Sequence, residues 1–449
     1  MKLLIPALLM VITACSLEQK PEYDLIISNV NLIDGTGSAM QESVNIFIKN
    51  KLIHFISFDK INQKENIIDG SGKYLIPGLF DCHVHTNNYN EDFPRFIHYG
   101  ITSVFFTGGS TCTNQYFEAM RNMGNQDSLP APRVFHTSQH FTLEGRHPAK
   151  TYVSSNWKDG ETIFYLKDTL QIEQLVAQVA QQPITGIKLT IEDGPDPPFV
   201  TRMPQAFINK VEQEANKHGL NVFAHVSDNK ELSMALEAGI SNILHFTGVD
   251  LDFEKDMELV NRIYQDSLSW VTTLMLDKGF MYPHFPEWLE EVKQEKIFAI
   301  EEIEQAQDPG IIKRTRGYME FMKDYLQVDT ITLQSVIEFQ VQQIKKLNEN
   351  GVNMVLGTDT GNDFIFPGYA LHEEMQLLEL GGMQPMDIIK MGTLQAAKMM
   401  KSDDSLGSIE VGKIADMILL DKNPLVSISN SFSINTVIKN GTIQKRLIK

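Results

Sequence analysis

The sequence predicts an α/β protein in which a (β/α)8 TIM barrel is joined to a small β-sandwich built from both ends of the chain. Two observations carry this prediction. Apolar strand-like runs alternate with amphipathic helical stretches over residues 79–400, which is the pattern of a parallel sheet with crossover helices. Short strand-like runs separated by turn signals occupy residues 23–78 and 401–449, and these predict the sandwich.

Composition supports a folded, acidic protein. The 449 residues are 42% hydrophobic and 21% charged, which is enough apolar material for a sizeable core. The formal net charge is -18, and a basic face is what nucleic acids and anionic membrane surfaces require. We therefore expect no nucleic-acid partner, while the composition leaves open whether the chain forms a homo-oligomer.

The amino terminus has the pattern of a lipoprotein signal. A positive start at Lys2 precedes an apolar stretch over residues 3–14, and small residues then lead to Cys15. We interpret residues 1–14 as a signal peptide, Cys15 as the lipid-modified residue and residues 15–22 as a tether. This resemblance to bacterial lipoproteins implies the cell envelope, anchored in the outer membrane and facing the periplasm. A plain signal peptide with an incidental cysteine is the alternative.

The eight barrel strands are predicted from apolar runs that follow glycine or turn signals. They lie near residues 79–85, 101–107, 132–137, 184–190, 221–225, 241–246, 269–275 and 353–359.

The longest gap follows the seventh run, and its charge-rich sequence predicts a helical insertion near 277–345 that overhangs the carboxyl ends of the strands. The aromatic segment 280–285 would form either a substrate wall or packing that seats the inserted helices. Whether the insertion is a mobile lid stays open.

Two histidines close the first run. Alternation along a strand places Asp81, His83 and His85 on one face, and it places Cys82 on the opposite face, away from the pocket. We expect Cys82 to be a small buried residue. The sequence does not decide whether it pairs with Cys112.

Further polar residues close later runs: Lys188 in the fourth, His225 in the fifth, His245 in the sixth and Asp359 in the eighth. The carboxyl ends of barrel strands converge on one pocket, where nitrogen and oxygen ligands would hold divalent cations and activate water.

Each of these residues also has a simpler interpretation. Lys188 could pair with Glu192, and either His225 or His245 alone could be a hydrogen-bonded core residue. A buried, neutral lysine can instead react with carbon dioxide to give a carbamate. Two successive βα units that both end in histidine favour the metal site.

The ordered set of motifs resembles the amidohydrolase superfamily, specifically members related to imidazolonepropionase and to metal-dependent Xaa-Pro and Xaa-Arg dipeptidases. The resemblance covers nearly everything after the tether. It rests on IPGLFDCHVHT, GITSVFFTGG, GIKLT, GLNVFAHVSD, AGISNILHF, LGTDTG and GSIEVGKIADMILLDKNPL.

The resemblance implies a site with two divalent cations, zinc being the expected metal for so many nitrogen ligands. Three residues would hold the first ion, two the second, and a carboxylated lysine and a hydroxide would bridge them. These ligands are His83, His85 and Asp359, then His225 and His245, and the bridging Lys188.

The implied reaction is hydrolysis of a carbon–nitrogen bond, in an amide or dipeptide of a small molecule. Asp359 would be catalytic by passing the proton of the hydroxide to the leaving nitrogen. His147 in LEGRHP resembles a histidine that contacts substrate in related enzymes. The alternatives are an ester hydrolase similar to lactonases or phosphotriesterases, and a lipoprotein that binds without catalysis.

Overall fold

The computed structural model describes residues 22–150, 152, 155–192 and 201–447. The predicted signal peptide, Cys15 and the tether up to residue 21 lie outside the described residues, so those assignments stay predictions. Across the described ranges, no helix combines the length and the apolar character needed to cross a membrane.

The described residues form two sheets. The strands of the barrel lie in the middle of the sequence, and the strands of the second sheet come before and after them. The strands are β1 (Leu25–Leu32), β2 (Gln41–Lys49), β3 (Leu52–Ser57), β4 (Ile67–Asp69), β5 (Tyr74–Pro77), β6 (Leu79–Val84), β7 (Ile101–Phe106), β8 (Arg133–Thr142), β9 (Ile163–Tyr165), β10 (Gly186–Thr190), β11 (Asn221–His225), β12 (Asn242–Leu244), β13 (Ser269–Val271), β14 (Asn353–Val355), β15 (Met417–Leu420), β16 (Ile434–Lys439) and β17 (Thr442–Ile443).

The predicted parallel barrel is confirmed. Its eight strands lie in the order β6, β7, β8, β10, β11, β12, β13 and β14, and each pair of neighbours is parallel. Hydrogen bonds between β6 and the segment after β14 join the two ends of the sheet: Cys82 N donates to Leu356 O at 3.0 Å, and Asp359 N donates to His83 O at 2.8 Å. The segment that contains Asp359 is therefore held directly against His83.

The second sheet takes strands from both ends of the chain, as predicted. Its order is β17, β16, β15, β5, β1, β2 and β3, with β4 beside β1. An antiparallel bridge between Leu52 and Ile414 brings β3 back towards the segment before β15. The sheet thus bends around one apolar core, to which Ile27, Ile46 and Leu419 belong.

The barrel interior is filled by apolar side chains from most of its strands. We call this group the interior cluster; it consists of Phe80, Cys82, Phe105, Phe223, Leu244, Val271 and Val355, with residues of the last helix before β15. A larger core, which includes the fully buried Trp270, lies between the strands and the surrounding helices. The polar residues at the strand ends therefore sit on a packed apolar floor.

Helices cover the outside of the barrel. They are α1 (Tyr89–His98), α2 (Asn114–Gly124), α3 (Thr169–Val179), α4 (Gln205–Lys217), α5 (Asn229–Glu237), α6 (Met257–Gln265), α7 (Met275–Met281), α8 (Pro286–Glu295), α9 (Ile300–Glu304), α10 (Pro309–Leu326), α11 (Leu333–Glu349), α12 (Tyr369–Leu380), α13 (Pro385–Met391) and α14 (Leu394–Met399).

Five of these helices, α7 to α11, lie between β13 and β14, in the segment for which the sequence predicts an insertion. Asp308 caps α10 by accepting from Gly310 N and Ile311 N, and Thr332 begins α11 with a capping box. Arg314 of α10 pairs with Asp363, which follows β14, and Tyr325 of α10 donates to Asp250, which follows β12. The insertion therefore contacts loops at the carboxyl ends of the strands.

The aromatic segment 280–285 packs within the insertion. Phe280 stacks on Tyr318 with 4.8 Å between ring centroids, and Phe285 stacks on Trp288 at 4.3 Å. Tyr282 is fully buried and donates to Glu373 at 2.5 Å. Of the two sequence interpretations, these contacts support the one in which the aromatic residues seat the inserted helices.

Candidate metal centre

The end of β6 brings His83 and His85 to the carboxylate of Asp359. The Nε2 atom of His85 lies 3.0 Å from Oδ1 of Asp359, and the Nε2 atom of His83 lies 3.5 Å from the same oxygen. His83 is fully buried, and neither of its ring nitrogens has a hydrogen-bond partner among the described residues; the same holds for Oδ1 of Asp359. Burial lowers the pKa of His83 well below its ordinary value, so this ring is neutral and offers a lone pair.

The alternation predicted for β6 is wrong in one respect. Phe80 and Cys82 belong to the interior cluster, so Cys82 lies inside the barrel beneath the site and not on the strand face opposite His83. The reason is an irregularity of the strand, because the register with β7 shifts between Asp81 and Val84. Cys82 is buried as predicted, and Cys82 and Cys112 are both free thiols.

His225 and His245 face one another across the ends of β11 and β12. Nδ1 of His225 lies 2.9 Å from Nε2 of His245, and the two rings are 4.2 Å apart. His245 also lies close to the first pair, with 4.3 Å between its ring and that of His83. Burial lowers the pKa of His225 well below its ordinary value and that of His245 to about 3, so both rings are neutral.

Lys188 lies in the middle of β10 with its side chain almost completely buried, at 1% exposure. Burial lowers the pKa of this amine to about 7, although the charges of Asp359 and Glu192 act in the opposite direction. The amine is therefore substantially uncharged near neutral pH, which is the form that reacts as a nucleophile.

Acceptors on the protein hold the outer nitrogen of three of these histidines. Nδ1 of His85 lies 2.6 Å from the carbonyl oxygen of Gly108, which can only accept, so this nitrogen donates. Nδ1 of His245 lies 3.2 Å from the hydroxyl of Thr273, and Nε2 of His225 contacts the carboxylate of Glu192. The inner nitrogens of His85 and His225 are therefore left with a lone pair that points into the pocket, and His245 has the same arrangement when the Thr273 hydroxyl accepts from its Nδ1.

Asp359 is held by its own segment. Its φ is +63°, and that of His245 is +68°, a left-handed backbone that residues other than glycine rarely adopt. The carboxylate of Asp81 accepts from Thr358 N at 3.0 Å and from Thr358 Oγ1 at 2.7 Å, which fixes the residue before Asp359. Such strain at a strand end is typical of functional sites.

His147 reaches the same pocket from the loop after β8. It is 2% exposed, its Nε2 atom lies 3.8 Å from Oε2 of Glu192, and its ring lies 5.0 Å from that of His225. This position beside the candidate ligands is where a residue that contacts substrate would be expected.

Sequence reasoning missed two residues of this site. The sequence patterns did not single out His140, but β8 extends to Thr142 and pairs His140 with Lys188 across the sheet. Its Nδ1 atom lies 3.1 Å from Oγ1 of Thr190. Glu192 was considered only as a partner of Lys188. His140 could have been found from the strand period of two, because it lies two residues after Ser138 and so on the same face of β8.

The geometry can be compared with known proteins. A profile of the Amidohydrolase family matches residues 74–443, which include every candidate ligand described above. The chain belongs to the amidohydrolase family. The family binds divalent metals and hydrolyses carbon–nitrogen bonds, and this amidohydrolase is accordingly a metal-dependent hydrolase of that class.

Similar proteins include ochratoxinase from Aspergillus niger, which is 23% identical over 88% of this chain and 81% of its own length. Imidazolonepropionase from Brevibacillus brevis is 24% identical over 84% of this chain and 82% of its own. The solved structure of a Xaa-Pro dipeptidase with bound methionine superposes with a TM-score of 0.70 at 23% identity, covering 94% of this chain and 99% of that one, which shows a shared fold. The predicted membership of the amidohydrolase superfamily and the relation to imidazolonepropionase are confirmed, and the dipeptidase structure shares the fold.

Proposed function

We propose that this amidohydrolase uses two divalent cations to hydrolyse an amide bond in a small molecule, such as a dipeptide or an N-acylated amino acid. The two ions would be zinc, bridged by carboxylated Lys188. His83, His85 and Asp359 would hold the first ion, and His225 and His245 the second.

One observation carries the proposal: ring nitrogens of four histidines converge on the carboxylate of Asp359 in one pocket, and both ring nitrogens of His83 and Oδ1 of Asp359 are buried without a hydrogen-bond partner among the described residues. Unpaired polar atoms in a protein interior cost about 1–3 kcal/mol each, so a cluster of them needs a ligand. Neutral imidazole and carboxylate are the donors that zinc prefers. The ligand atoms of His83, His245 and Asp359 lie within 4.8 Å of one another, a spacing compatible with a shared ion.

Lys188 fits the bridging role because of its charge state and its place. Its neutral amine can form a bond to the carbon of carbon dioxide and release one proton to water, which leaves a carbamate anion. Lys188 is near enough to Asp359 and Glu192 for the charges of both to act on its amine. The fourth strand is thereby supplied with a carboxylate-like group where its sequence has none.

The chain's own residues then have distinct tasks. Bound cations would lower the pKa of a water molecule to about 7 and polarise the substrate carbonyl. Burial acts to raise the pKa of Asp359, but its close contacts with the rings of His85 and His245 and with the amine of Lys188 outweigh burial and lower the pKa. Asp359 is therefore ionised at neutral pH and can accept a proton for transfer to the leaving nitrogen. His147 would contact the substrate from the loop after β8.

The choice of an amide substrate rests on the relatives. Ochratoxinase, imidazolonepropionase and the Xaa-Pro dipeptidase give no support to the ester-hydrolase alternative. A binding protein without catalysis would not need to keep the strained Asp359 and His245 at the strand ends.

The test is elemental analysis of the purified full-length chain together with an activity screen of the same sample. We expect two transition-metal ions per chain, and activity on members of a panel of dipeptides and N-acylated amino acids. One ion per chain with activity on aminopurines would indicate a deaminase. A sample with two ions that is inert to amide and lactone panels would refute the proposed reaction.

We also propose that Cys15 carries a lipid anchor in the bacterial cell envelope, on the basis of the signal pattern before it. A Cys15→Ser variant should move from the detergent-soluble membrane fraction to the aqueous fraction, and a Cys112→Ser variant should not. Equal partition of wild type and Cys15→Ser would contradict the anchor.

A further inference from the structure

Glu192 is a buried carboxylate at the candidate metal centre. It follows β10 by two residues and is 3% exposed. Its Oε2 atom contacts Nε2 of His225, and it lies 3.8 Å from Nε2 of His147. The ligand atoms of these three residues lie within 4.8 Å of one another. Glu192 is not among the metal ligands assigned above.

The two nitrogens of His225 have different neighbours, and this decides what Glu192 does. Nε2 meets the carboxylate, which accepts hydrogen bonds when ionised, whereas Nδ1 lies 2.9 Å from Nε2 of His245. A neutral imidazole carries one hydrogen. With that hydrogen on Nε2, the Nδ1 lone pair of His225 and the Nε2 lone pair of His245 point at the same place.

The other tautomer of His225, with its hydrogen on Nδ1, would prevent this pair of histidines from binding an ion. A hydrogen on Nδ1 of His225 would point at Nε2 of His245, form a hydrogen bond with it and leave neither nitrogen free for an ion. The carboxylate at Nε2 penalises that tautomer, because it would then face a lone pair instead of a donor. When the hydrogen of His245 is on Nδ1, the hydroxyl of Thr273 can accept it at 3.2 Å, and Nε2 of His245 then keeps its lone pair.

We propose that Glu192 is a positioning residue of the second metal ion: it accepts the Nε2 hydrogen of His225 and so directs Nδ1 of that ring at the ion. The inference rests on the proposed binuclear site. It assigns Glu192 no bond to the ion itself. Carboxylate partners that orient ligating histidines typically contribute about 10- to 100-fold to metal affinity.

The test compares four full-length proteins: wild type, Glu192→Ala, Glu192→Gln and Glu212→Ala. Glu212 is a matched control, since it is also largely buried but lies in α4, away from the candidate ligands, where its carboxylate accepts a hydrogen bond from Asn216. Zinc is titrated against a competing chelator, and thermal unfolding confirms that each variant is folded. Specific 15N labelling of histidine, with a His225→Asn variant to assign the signal, reports the tautomer of His225.

We expect Glu192→Ala to weaken the second ion by about 10- to 100-fold and to leave the first ion unchanged. Glu192→Gln should lose less than about tenfold, because its amide oxygen still accepts from Nε2. Glu212→Ala should match wild type. If wild type and Glu192→Ala bind both ions equally, or if Glu192→Gln loses as much as Glu192→Ala, the positioning role is overturned.

The experiment distinguishes a failure of the proposed function from a failure of the role proposed for Glu192. If wild type binds fewer than two ions, the binuclear assignment fails, and the 15N spectrum of the wild-type chain still judges the inference. A hydrogen on Nε2 of His225 that shifts to Nδ1 in Glu192→Ala would support the role of Glu192. A wild-type spectrum with the hydrogen on Nδ1 would refute it.

Discussion

Carboxylation of Lys188 should depend on pH in a way that the burial of this amine determines. The pKa of Lys188 is lowered from 10.5 to about 7, and a lowered lysine pKa makes the neutral form available at lower pH. About one amine in eleven is then neutral at pH 6, about half at pH 7 and about ten in eleven at pH 8. An amine that kept the ordinary lysine pKa would be neutral in only about one molecule in 3,000 at pH 7.

In this experiment, metal-free protein is incubated with zinc and a fixed concentration of dissolved carbon dioxide, and only the pH is varied. Because the reactive species is the neutral amine, the initial rate of carbamate formation should rise about tenfold from pH 6 to pH 8 and then level off. An unburied lysine would give a rise of about 100-fold over the same range, without a plateau. Three of the candidate histidine ligands stay neutral over this range, since burial places the pKa of His245 at about 3 and those of His83 and His225 well below 6.5.

The assay uses 13C-labelled bicarbonate and follows the carbamate carbon by NMR, with zinc uptake measured in parallel. A Lys188→Met variant, which keeps the length but has no amine, should give neither the signal nor full zinc uptake. A rise of about 100-fold between pH 6 and pH 8 would show that the amine titrates as an exposed lysine, which would refute the reasoning. So would zinc uptake that is independent of carbon dioxide.

Three further predictions concern the proton-transfer residue, the packing behind His83 and the removal of the ions. Asp359→Asn should keep most of the metal but lower turnover by about 100- to 10,000-fold, because the amide cannot accept the proton; elemental analysis and rate measurements on one sample check this, and full activity would contradict it. Gly357→Ala should destabilise the fold by about 1–3 kcal/mol in denaturant unfolding, since the added methyl would lie 2.4 Å from Cγ1 of Val271 and 3.0 Å from Cβ of His83. Gly317→Ala, a helical position with nothing within 4 Å, is the control and should be neutral or stabilising; equal effects of the two would count against the packing argument. Chelation of the ions should lower the thermal midpoint. The free energy of unfolding should fall by about 4 kcal/mol if free zinc had been at 1,000 times its dissociation constant, and a midpoint unchanged by chelation would be inconsistent with buried ligands.

Much of the fold could be predicted because its signals are local. The apolar runs that predict β7, β11 and β14 begin within a residue of the observed strands, and glycine or turn signals precede them. The parallel arrangement follows from the helical stretches between them. Once the barrel is inferred, the ends of its strands must meet, and so the residues that close those strands could be named from the sequence.

The errors arose where a strand departs from regular geometry. Register shifts in β6 place Cys82 in the interior cluster, which simple alternation cannot reveal. The third barrel strand continues to Thr142 because β10 pairs with its later residues, and that pairing brings His140 beside Lys188. Pairing partners lie far away in the sequence, so no local pattern marks where a strand irregularity falls.

The sequence by itself determined the barrel, the smaller sheet from both termini and the positions at which polar side chains close the strands. Only the tertiary structure decided which nitrogen of each histidine faces the pocket. Gly108, Thr273 and Glu192 make that choice, and they come from other strand ends than the histidines they hold. A hydrogen bond depends on distances and angles through space, and these are fixed only when the barrel closes and its strand ends pack together.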